Sequence, residues 1–328
     1  MPDQARPDHL CGVLVVNKPR GMISKDVSRW LQKFIGKKHR LGHVGTLDPE
    51  AEGVLPLLLG KATRLQDSLL SLPKTYVCDV ELGYETTTLD IEGEVIARAP
   101  VEGVTSEGLN KAAQELTGIQ TQQAPLYSAV KFQGKPLYTW AREGREDEID
   151  WEKVSRSIEV YRLKILGFEN GVVRFEARCG KGTYIRVLAK DLAKKLGTLG
   201  TVTRLIRTEA SGVTQDQAFT PEEIEAHLSA MGTLKEPVLT PIEMVQTGLP
   251  ELRVSEERHI RQLMNGLKLT FGENGFAQDS ALYNNGDSTL PDESECLLTN
   301  SSGRAFGLGS VKRHGAGNMQ VSLKRSLL

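Results

Sequence analysis

A single carboxylate set among glycines and a proline constrains this chain more than any other feature. Asp48, followed by Pro49, lies in a glycine-containing stretch that begins at Gly42, and an apolar run from Val54 to Leu59 comes next. Glycine allows sharp turns and close approach of another molecule, and proline restricts the backbone around it. The pattern predicts that Asp48 lies on a tight loop just before a buried element. Taken alone, it favours a turn whose carboxylate bonds its own backbone over a catalytic acid.

Basic residues are concentrated around this loop, although the total charge of the chain is almost zero. Positions 18 to 64 contain ten Lys or Arg and four Asp or Glu, whereas the whole chain has 41 basic and 42 acidic residues. Clustered cations favour a polyanion such as nucleic acid, because each phosphate contact releases counterions. The alternative is the solvated face of one amphipathic helix between positions 25 and 40.

Four short motifs follow one another in a fixed order along the chain. They are Asn17-Lys18-Pro19-Arg20-Gly21, Gly42-His43-Val44-Gly45-Thr46-Leu47-Asp48-Pro49, Lys74-Thr75-Tyr76 and Gly182-Thr183-Tyr184-Ile185-Arg186. In order and spacing they resemble the TruB family of tRNA pseudouridine-55 synthases, of the bacterial, stand-alone type. The resemblance is strong over residues 12 to 213 and weak elsewhere.

The resemblance implies a fold and a domain organisation. The expected class is α+β, a pseudouridine-synthase fold in which a mainly antiparallel mixed sheet is flanked by helices. We expect a disordered N-terminus over 1–11, a catalytic domain over 12–248 and a small β-rich, PUA-like RNA-binding domain over 249–328. The few residues before the first strand leave no room for the N-terminal extension of guide-RNA-dependent relatives, which favours a stand-alone enzyme.

The resemblance also assigns catalytic roles. Asp48 is the expected catalytic carboxylate, and it acts either by attacking the ribose or by removing the neighbouring proton. Because burial would tend to neutralise this acid, a permanent cation is required beside it, and the resemblance implies Arg186. Tyr76 is the expected stacking platform for the flipped base, and Tyr184 lies against the base near the reacting carbon.

Substrate contacts are predicted in the same way. The resemblance places Leu205 in the pocket wall and His43 against the rearranged T-loop of tRNA. Charge, and not the resemblance, makes the basic residues around the loop candidates for phosphate contact as a group, and Pro19 among them completes the predicted substrate-binding set: Lys18, Pro19, Arg20, Lys37, Lys38, Lys61 and Arg64. Glu52 departs from the small or hydroxyl residue common at this family position, and we expect its side chain to point to solvent.

Local patterns predict several elements outside these motifs. Alternation from Thr75 to Leu82 predicts a half-buried strand, and Glu169-Asn170-Gly171 predicts the turn of a hairpin. We also predict a strand over Pro125 to Phe132, a helix capped by Ser24 and a helix that Thr183 opens.

Composition excludes several classes of protein. No apolar segment approaches the length of a membrane span, the first ten residues lack the apolar centre of a signal peptide, and we expect a cytoplasmic location. The four cysteines are scattered without paired spacing, and neither they nor the histidines show the spacing of a metal site. We therefore expect a protein without a metal site and without a membrane partner. The resemblance implies an enzyme that needs no other cofactor and acts on the T-arm of tRNA, and we expect it to be a monomer.

Two other hypotheses fit the same basic surfaces. One is an RNA-binding or tRNA-folding protein in which the carboxylate of Asp48 has no chemical role. The other is the catalytic subunit of a guide-RNA particle, which would have no activity on tRNA alone.

Overall fold

The structure is a computed structural model that describes residues 10–242, 245, 247–271, 282–283, 293–314 and 318–327. The predicted disordered segment 1–11 therefore lies outside the described residues, except for its last two positions. No helix in the described part of the chain is long and apolar enough to cross a membrane.

Helices and strands alternate irregularly through the first three quarters of the chain. In order they are β1 Gly12–Lys18, α1 Ser24–Ile35, β2 Leu41–His43, β3 Ala51–Leu59, α2 Gln66–Ser71, β4 Lys74–Leu82, β5 Tyr84–Thr86, β6 Val95–Arg98, α3 Ser106–Glu115, β7 Gly118–Gln123, β8 Lys131–Phe132, β9 Lys135–Pro136, α4 Leu137–Arg142, β10 Ser155–Glu169, β11 Val172–Cys179, α5 Ile185–Lys195, β12 Gly200–Ala210, β13 Val213–Thr214, α6 Pro221–Met231 and β14 Leu239–Thr240. Short 3-10 turns occupy Gly60–Leu65, Glu146–Glu148, Trp151–Val154 and Gln215–Gln217.

Strands from this part of the chain build one large sheet. Its order is β14-β1-β3-β12-β4-β11-β10-β7, with β2 added on β3 and β13 on β12. Strands β3 and β12 run parallel where residues 51–53 face 205–207, while the other described strand pairs of this sheet are antiparallel. The predicted α+β class with a mainly antiparallel mixed sheet is confirmed, and the parallel pair brings the start of β3, just after Asp48, beside β12.

The two faces of the sheet are covered differently. Helices α1, α3 and α5 bury their apolar sides on one face, where the predicted alternation of β4 is confirmed by burial of Tyr76, Cys78, Val80 and Leu82. On the other face, α2 and the preceding 3-10 turn share a core with C-terminal residues such as Leu308 and Leu327. The predicted hairpin between β10 and β11 also forms, and its turn residues Asn170 and Gly171 both have positive φ.

The C-terminal part forms a separate sheet. Its elements are β15 Glu251–Arg253, α7 Glu257–Met264, β16 Leu269–Phe271, β17 Leu282–Tyr283, β18 Ser294–Thr299, β19 Ala305–His314 and β20 Asn318–Ser326. The strand order is β16-β20-β19-β18-β15-β17, around a core that includes Leu252, Phe306 and Val321. The predicted β-rich, PUA-like C-terminal region is confirmed, and the domain boundary that we propose at 248 falls between β14 and β15.

Three local predictions are wrong. Ser24 is the first residue of α1 and does not cap it, because its hydroxyl is bonded to the backbone of Leu47 instead. Of the predicted strand Pro125 to Phe132, only Lys131–Phe132 pairs, since the backbone at Ser128 turns back to Leu126. Helix α5 begins at Ile185 with Tyr184 at its N-cap position, and the Thr183 hydroxyl instead donates to the carbonyl of Gly180.

Candidate active site

The loop that carries Asp48 connects β2 to β3 and is fixed on both sides of the acid. The amide of Leu47 donates to the Ser24 hydroxyl at 2.8 Å, and the same hydroxyl donates to the Leu47 carbonyl at 3.0 Å. The carbonyl of Pro49 accepts hydrogen bonds from the Gly21 amide at 2.9 Å and from Lys18 at 3.0 Å. The neighbours of Asp48 are therefore held while its own side chain stays 38% exposed.

Lys18 has a different environment from the one predicted. Its side chain is fully buried, and its ammonium donates to the carbonyls of Pro19, Met22 and Pro49 at 2.5 to 3.0 Å. Burial lowers the pKa of Lys18 to about 8, although the charge of Asp48 acts in the opposite direction. With its three donors occupied inside the protein, Lys18 does not suit the predicted phosphate contact, and it instead ties the Pro19 turn to the Asp48 loop.

The Asp48 loop rests on a second buried cation that the sequence analysis missed. Arg207 on β12 is 1% exposed, and it donates to the carbonyl of Val54 at 2.7 Å and to that of Gly45 at 2.9 Å. Its guanidinium also approaches the hydroxyl of Tyr76, the residue opposite it on β4. Arg207 thereby joins the loop, β3 and β4 at one point.

Two glycines make room for Arg207. Gly45 has φ 72°, and a Cβ built there would lie 3.1 Å from a nitrogen of the guanidinium. Gly53 has φ 101°, and a Cβ there would come within 2.3 Å of the Arg207 carbonyl oxygen. Only glycine fits such a close approach in this backbone conformation, which explains these two glycines beside Asp48.

Arg186 is found beside Asp48, as the resemblance implied. Nε of Arg186 lies 2.9 Å from Oδ2 of Asp48, and the arginine side chain is only 6% exposed. The N–H is not aligned for a hydrogen bond to this oxygen, so the contact is an ion pair. Helix α5 starts one residue earlier, which places this buried guanidinium at the loop that carries the acid.

Asp90 is the second carboxylate beside Arg186, a contact that the sequence analysis did not predict. Its carboxylate is 7% exposed and lies 3.6 Å from Nη1 of Arg186. The other Asp90 oxygen accepts from the Thr88 hydroxyl at 2.5 Å and from the Glu92 amide at 3.1 Å. Arg186 also donates to the carbonyls of Thr88 at 2.6 Å and Tyr127 at 3.1 Å, so its orientation is fixed from several sides.

A cleft opens above this ion pair. Its walls include the predicted pocket residue Leu205, which is 9% exposed, together with Asp90, Ile91 and Arg204.

Tyr76 is buried in β4, where burial raises the pKa of its hydroxyl. The hydroxyl of Tyr76 therefore stays protonated at neutral pH.

Tyr184 immediately precedes α5 and lies two residues before Arg186. Its amide donates to the side chain of Gln122 at 2.8 Å, and the Gln122 amide group donates back to the Tyr184 carbonyl at 3.1 Å. The guanidinium of Arg156 lies over the Tyr184 ring, 5.4 Å from its centre. The buried Gln122 thus fixes the backbone at the start of α5, a contact that no motif in the sequence indicated.

His43 lies in β2 at the start of the Asp48 loop. Its ring nitrogens are 3.4 Å from the hydroxyls of Ser28 and Thr46. Burial, followed by the charge of Arg207, lowers the pKa of His43, so the ring is neutral at pH 7.

The remaining predicted substrate contacts fall into two groups. Pro19 and Arg20 lie at the Asp48 loop, where Arg20 forms an ion pair with Glu50. Lys38, Lys61 and Arg64 line a larger basic cleft with Arg40 and Arg304, and Lys37 is exposed just before it. Arg64 donates to the Ser326 carbonyl and accepts from Arg325 at 3.2 Å through its own carbonyl, so it also joins the two sheets.

Glu52 does not point freely into solvent. Its carboxylate lies 3.5 Å from Nη2 of Arg204, and the Glu52 side chain is 27% exposed. The expected solvent-facing side chain is therefore partly held by an ion pair with Arg204.

Comparisons with known proteins identify the relatives of this chain. The profile of the TruB family pseudouridylate synthase N-terminal domain matches residues 32–185. The chain is 37% identical over 262 residues to the tRNA pseudouridine synthase B of Hydrogenovibrio crunogenus, covering 80% of this chain and 82% of the relative. The corresponding protein of Bacillus pumilus is 39% identical over 251 residues, covering 75% and 79%.

A solved structure shares the fold. The crystal structure of a Cbf5-Nop10-Gar1 complex contains a chain that matches with a TM-score of 0.72 and 22% identity, covering 100% of this chain and 88% of that one. At this identity the match supports the fold alone. The identity to the curated relatives over most of their length supports more: this chain belongs to the TruB family of pseudouridylate synthases.

Proposed function

We propose that this pseudouridine synthase converts uridine 55 in the T-loop of tRNA to pseudouridine, with Asp48 as the catalytic carboxylate. The observation that carries the proposal is the ion pair between Asp48 and the buried Arg186, on a loop that Ser24, Lys18 and Arg207 hold in place. The names of the relatives support tRNA as the substrate, since they are tRNA pseudouridine synthases.

The reaction is an isomerisation in which atoms and electrons balance within the nucleoside. The bond between C1′ of the ribose and N1 of uracil breaks, the base turns over, and a bond forms between C1′ and C5. The proton on C5 leaves, and N1 of the rotated base carries a proton in the product. Asp48 starts the reaction at the ribose, either as nucleophile on C1′ or as base on the neighbouring C2′ proton.

The protein must keep the acid ionised and receive a base that has left its stack. Unstacking costs a few kcal/mol, and one aromatic platform returns about 1 to 3 kcal/mol. We assign this platform to Tyr76 and the wall of the pocket to Leu205. Tyr184 lies against the base, where its side chain takes part in the final removal of the C5 proton.

The substrate surface is the basic region around the Asp48 loop. His43 contacts the T-loop, while Pro19, Arg20, Lys37, Lys38, Lys61 and Arg64 bind the T-arm, mainly through its phosphates. We propose a monomer that acts without metal or other cofactor in the cytoplasm, where tRNA is modified.

The experiment is incubation of the purified full chain with an unmodified tRNA transcript, without added cofactor, followed by mapping of pseudouridine. The proposal predicts one product at position 55 and none on a transcript carrying cytidine there. Binding without product would favour the RNA-binding or tRNA-folding hypothesis. Product that appears only with an added guide RNA would favour a guide-dependent subunit.

A further inference from the structure

Three acids alternate along the segment from Asp48 to Glu52, and each is paired with a different arginine. Asp48 pairs with Arg186, Glu50 with Arg20, and Glu52 with Arg204. The arginine side chains differ in burial: that of Arg186 is 6% exposed, whereas that of Arg204 is 50% exposed. The inner pair lies at the cleft, and in the outer pair Arg204 is the member that lines the cleft.

Arg204 has the position of a substrate-binding residue. It is one of the residues that line the same cleft as Asp48, and its side chain is half exposed. A nucleotide whose ribose reaches Asp48 keeps its charged phosphates at the exposed rim, because an unpaired phosphate is costly to bury. A guanidinium at this rim matches the fork geometry of phosphate oxygens.

The partner of Arg204 is a weak one. The atoms of the Glu52–Arg204 pair are 3.5 Å apart, and both side chains are partly exposed, so the pair adds little to folding stability. Glu52 does, however, hold a negative charge 3.5 Å from the Arg204 guanidinium, where it would repel a phosphate that binds this guanidinium. It therefore competes with RNA for Arg204.

We propose that Arg204 binds a phosphate beside the target nucleotide and that Glu52 is the counterion which RNA must displace. The inference rests on the proposed RNA substrate of this site. It assigns opposite roles to the two members of one ion pair: Arg204 strengthens RNA binding, and Glu52 weakens it.

The test is the affinity for an unmodified tRNA transcript at several salt concentrations, measured with full chains that carry Asp48→Asn to prevent turnover. Arg204→Gln should weaken binding and reduce the slope of log affinity against log salt by about 0.7 to 0.9, the value for one phosphate contact. Glu52→Gln should tighten binding by roughly 2- to 5-fold, the range of an exposed ion pair. In the Arg204→Gln background this gain should shrink.

The exposed pair Lys195–Glu115, which joins α5 to α3 and does not line the cleft, provides the matched control. Glu115→Gln and Lys195→Gln change the net charge by the same amounts as Glu52→Gln and Arg204→Gln, and they should leave the affinity nearly unchanged.

The inference is overturned if Glu52→Gln binds no tighter than Glu115→Gln, or if Arg204→Gln keeps the full salt slope. If Arg204→Gln and Glu52→Gln both lost affinity and melting temperature to the same extent, the pair would be purely structural, and the inference would again be overturned. Failure of the unsubstituted chain to bind or modify tRNA would instead overturn the proposed function.

Discussion

Two buried arginines flank the Asp48 loop, and they are held in opposite ways. Arg186 faces two carboxylates, those of Asp48 and Asp90, as well as two backbone carbonyls. Arg207 donates to the carbonyls of Gly45 and Val54, and its charge acts on the buried Lys18 and Lys74. The guanidinium of Arg186 balances the charge of carboxylates at the cleft, whereas that of Arg207 holds the backbone of the loop through hydrogen bonds.

The different partners of the two arginines predict different roles, one in catalysis and one in folding stability. A cation next to the proposed catalytic acid stabilises the ionised carboxylate, and its loss should reduce catalysis first. A cation that donates to carbonyls satisfies buried acceptors, and its loss should reduce folding stability first. Substitutions at the two positions should therefore have different dominant effects.

The largest of these effects is expected for Arg186→Met. Loss of the cation leaves Asp48 without its counter-charge, and we expect single-turnover pseudouridine formation to fall by about 10²- to 10³-fold, as for other lost electrostatic contacts in active sites. Arg174→Met, at an exposed ion pair with Asp79, is the control and should retain activity. Nearly full activity in Arg186→Met would contradict the catalytic role assigned to Arg186.

Arg207→Met should instead lower the free energy of unfolding. Two buried carbonyls lose their donor, and each unsatisfied acceptor costs about 1 to 3 kcal/mol. Denaturant unfolding measures the loss, and the rate per folded molecule at low temperature should fall less than in Arg186→Met. A stable Arg207→Met protein with a rate as low as that of Arg186→Met would contradict the distinction.

Asp90→Asn should have an intermediate effect on catalysis. The substitution removes one charge from Arg186 but keeps an oxygen that can accept from the Thr88 hydroxyl and the Glu92 amide. A hydrogen bond or ion pair of this kind is worth about 1.5 to 3 kcal/mol, so a rate loss of roughly 10- to 100-fold is expected in single-turnover assays. A loss equal to that of Asp48→Asn would mean that Asp90 takes part in the chemistry itself.

The smallest effect concerns the pH dependence of stability near Arg207. Burial, followed by the charge of Arg207, lowers the pKa of Lys74 from 10.5 to about 8. Between these two values the unfolded chain holds a proton that the folded chain lacks, so folding becomes more favourable as the pH rises. The free energy of unfolding of the unsubstituted protein minus that of Lys74→Met should therefore increase from pH 8 to pH 10. A constant difference would show that Lys74 stays charged in the fold.

The sequence predicts the parts of the molecule that depend on local patterns. Burial of alternate residues in β4 follows from period-two alternation, and the β10–β11 hairpin follows from Asn170-Gly171, which tolerate positive φ. The contact between Asp48 and Arg186 joins residues far apart in the chain, and it was expected only because their motifs resemble those of a family.

Other parts depend on tertiary contacts that no local pattern encodes. Serine is a common helix-capping residue, but the hydroxyl of Ser24 is hydrogen-bonded to the backbone of Leu47, because α1 packs against the Asp48 loop. Lys18 was assigned to phosphate on charge alone, and charge does not distinguish an exposed cation from one that binds carbonyls in the interior. Arg207 was missed because its partners at Gly45 and Val54 are backbone groups without a sequence signature.

The most direct test of the account is Asp48→Asn, assayed for pseudouridine at position 55 and, in parallel, for tRNA affinity at several salt concentrations. The amide keeps the size of the side chain but has neither the charge nor the basicity of the carboxylate. We expect no product together with an affinity and a salt slope close to those of the unsubstituted protein. Pseudouridine formed by Asp48→Asn at a rate near that of the unsubstituted chain would contradict the account.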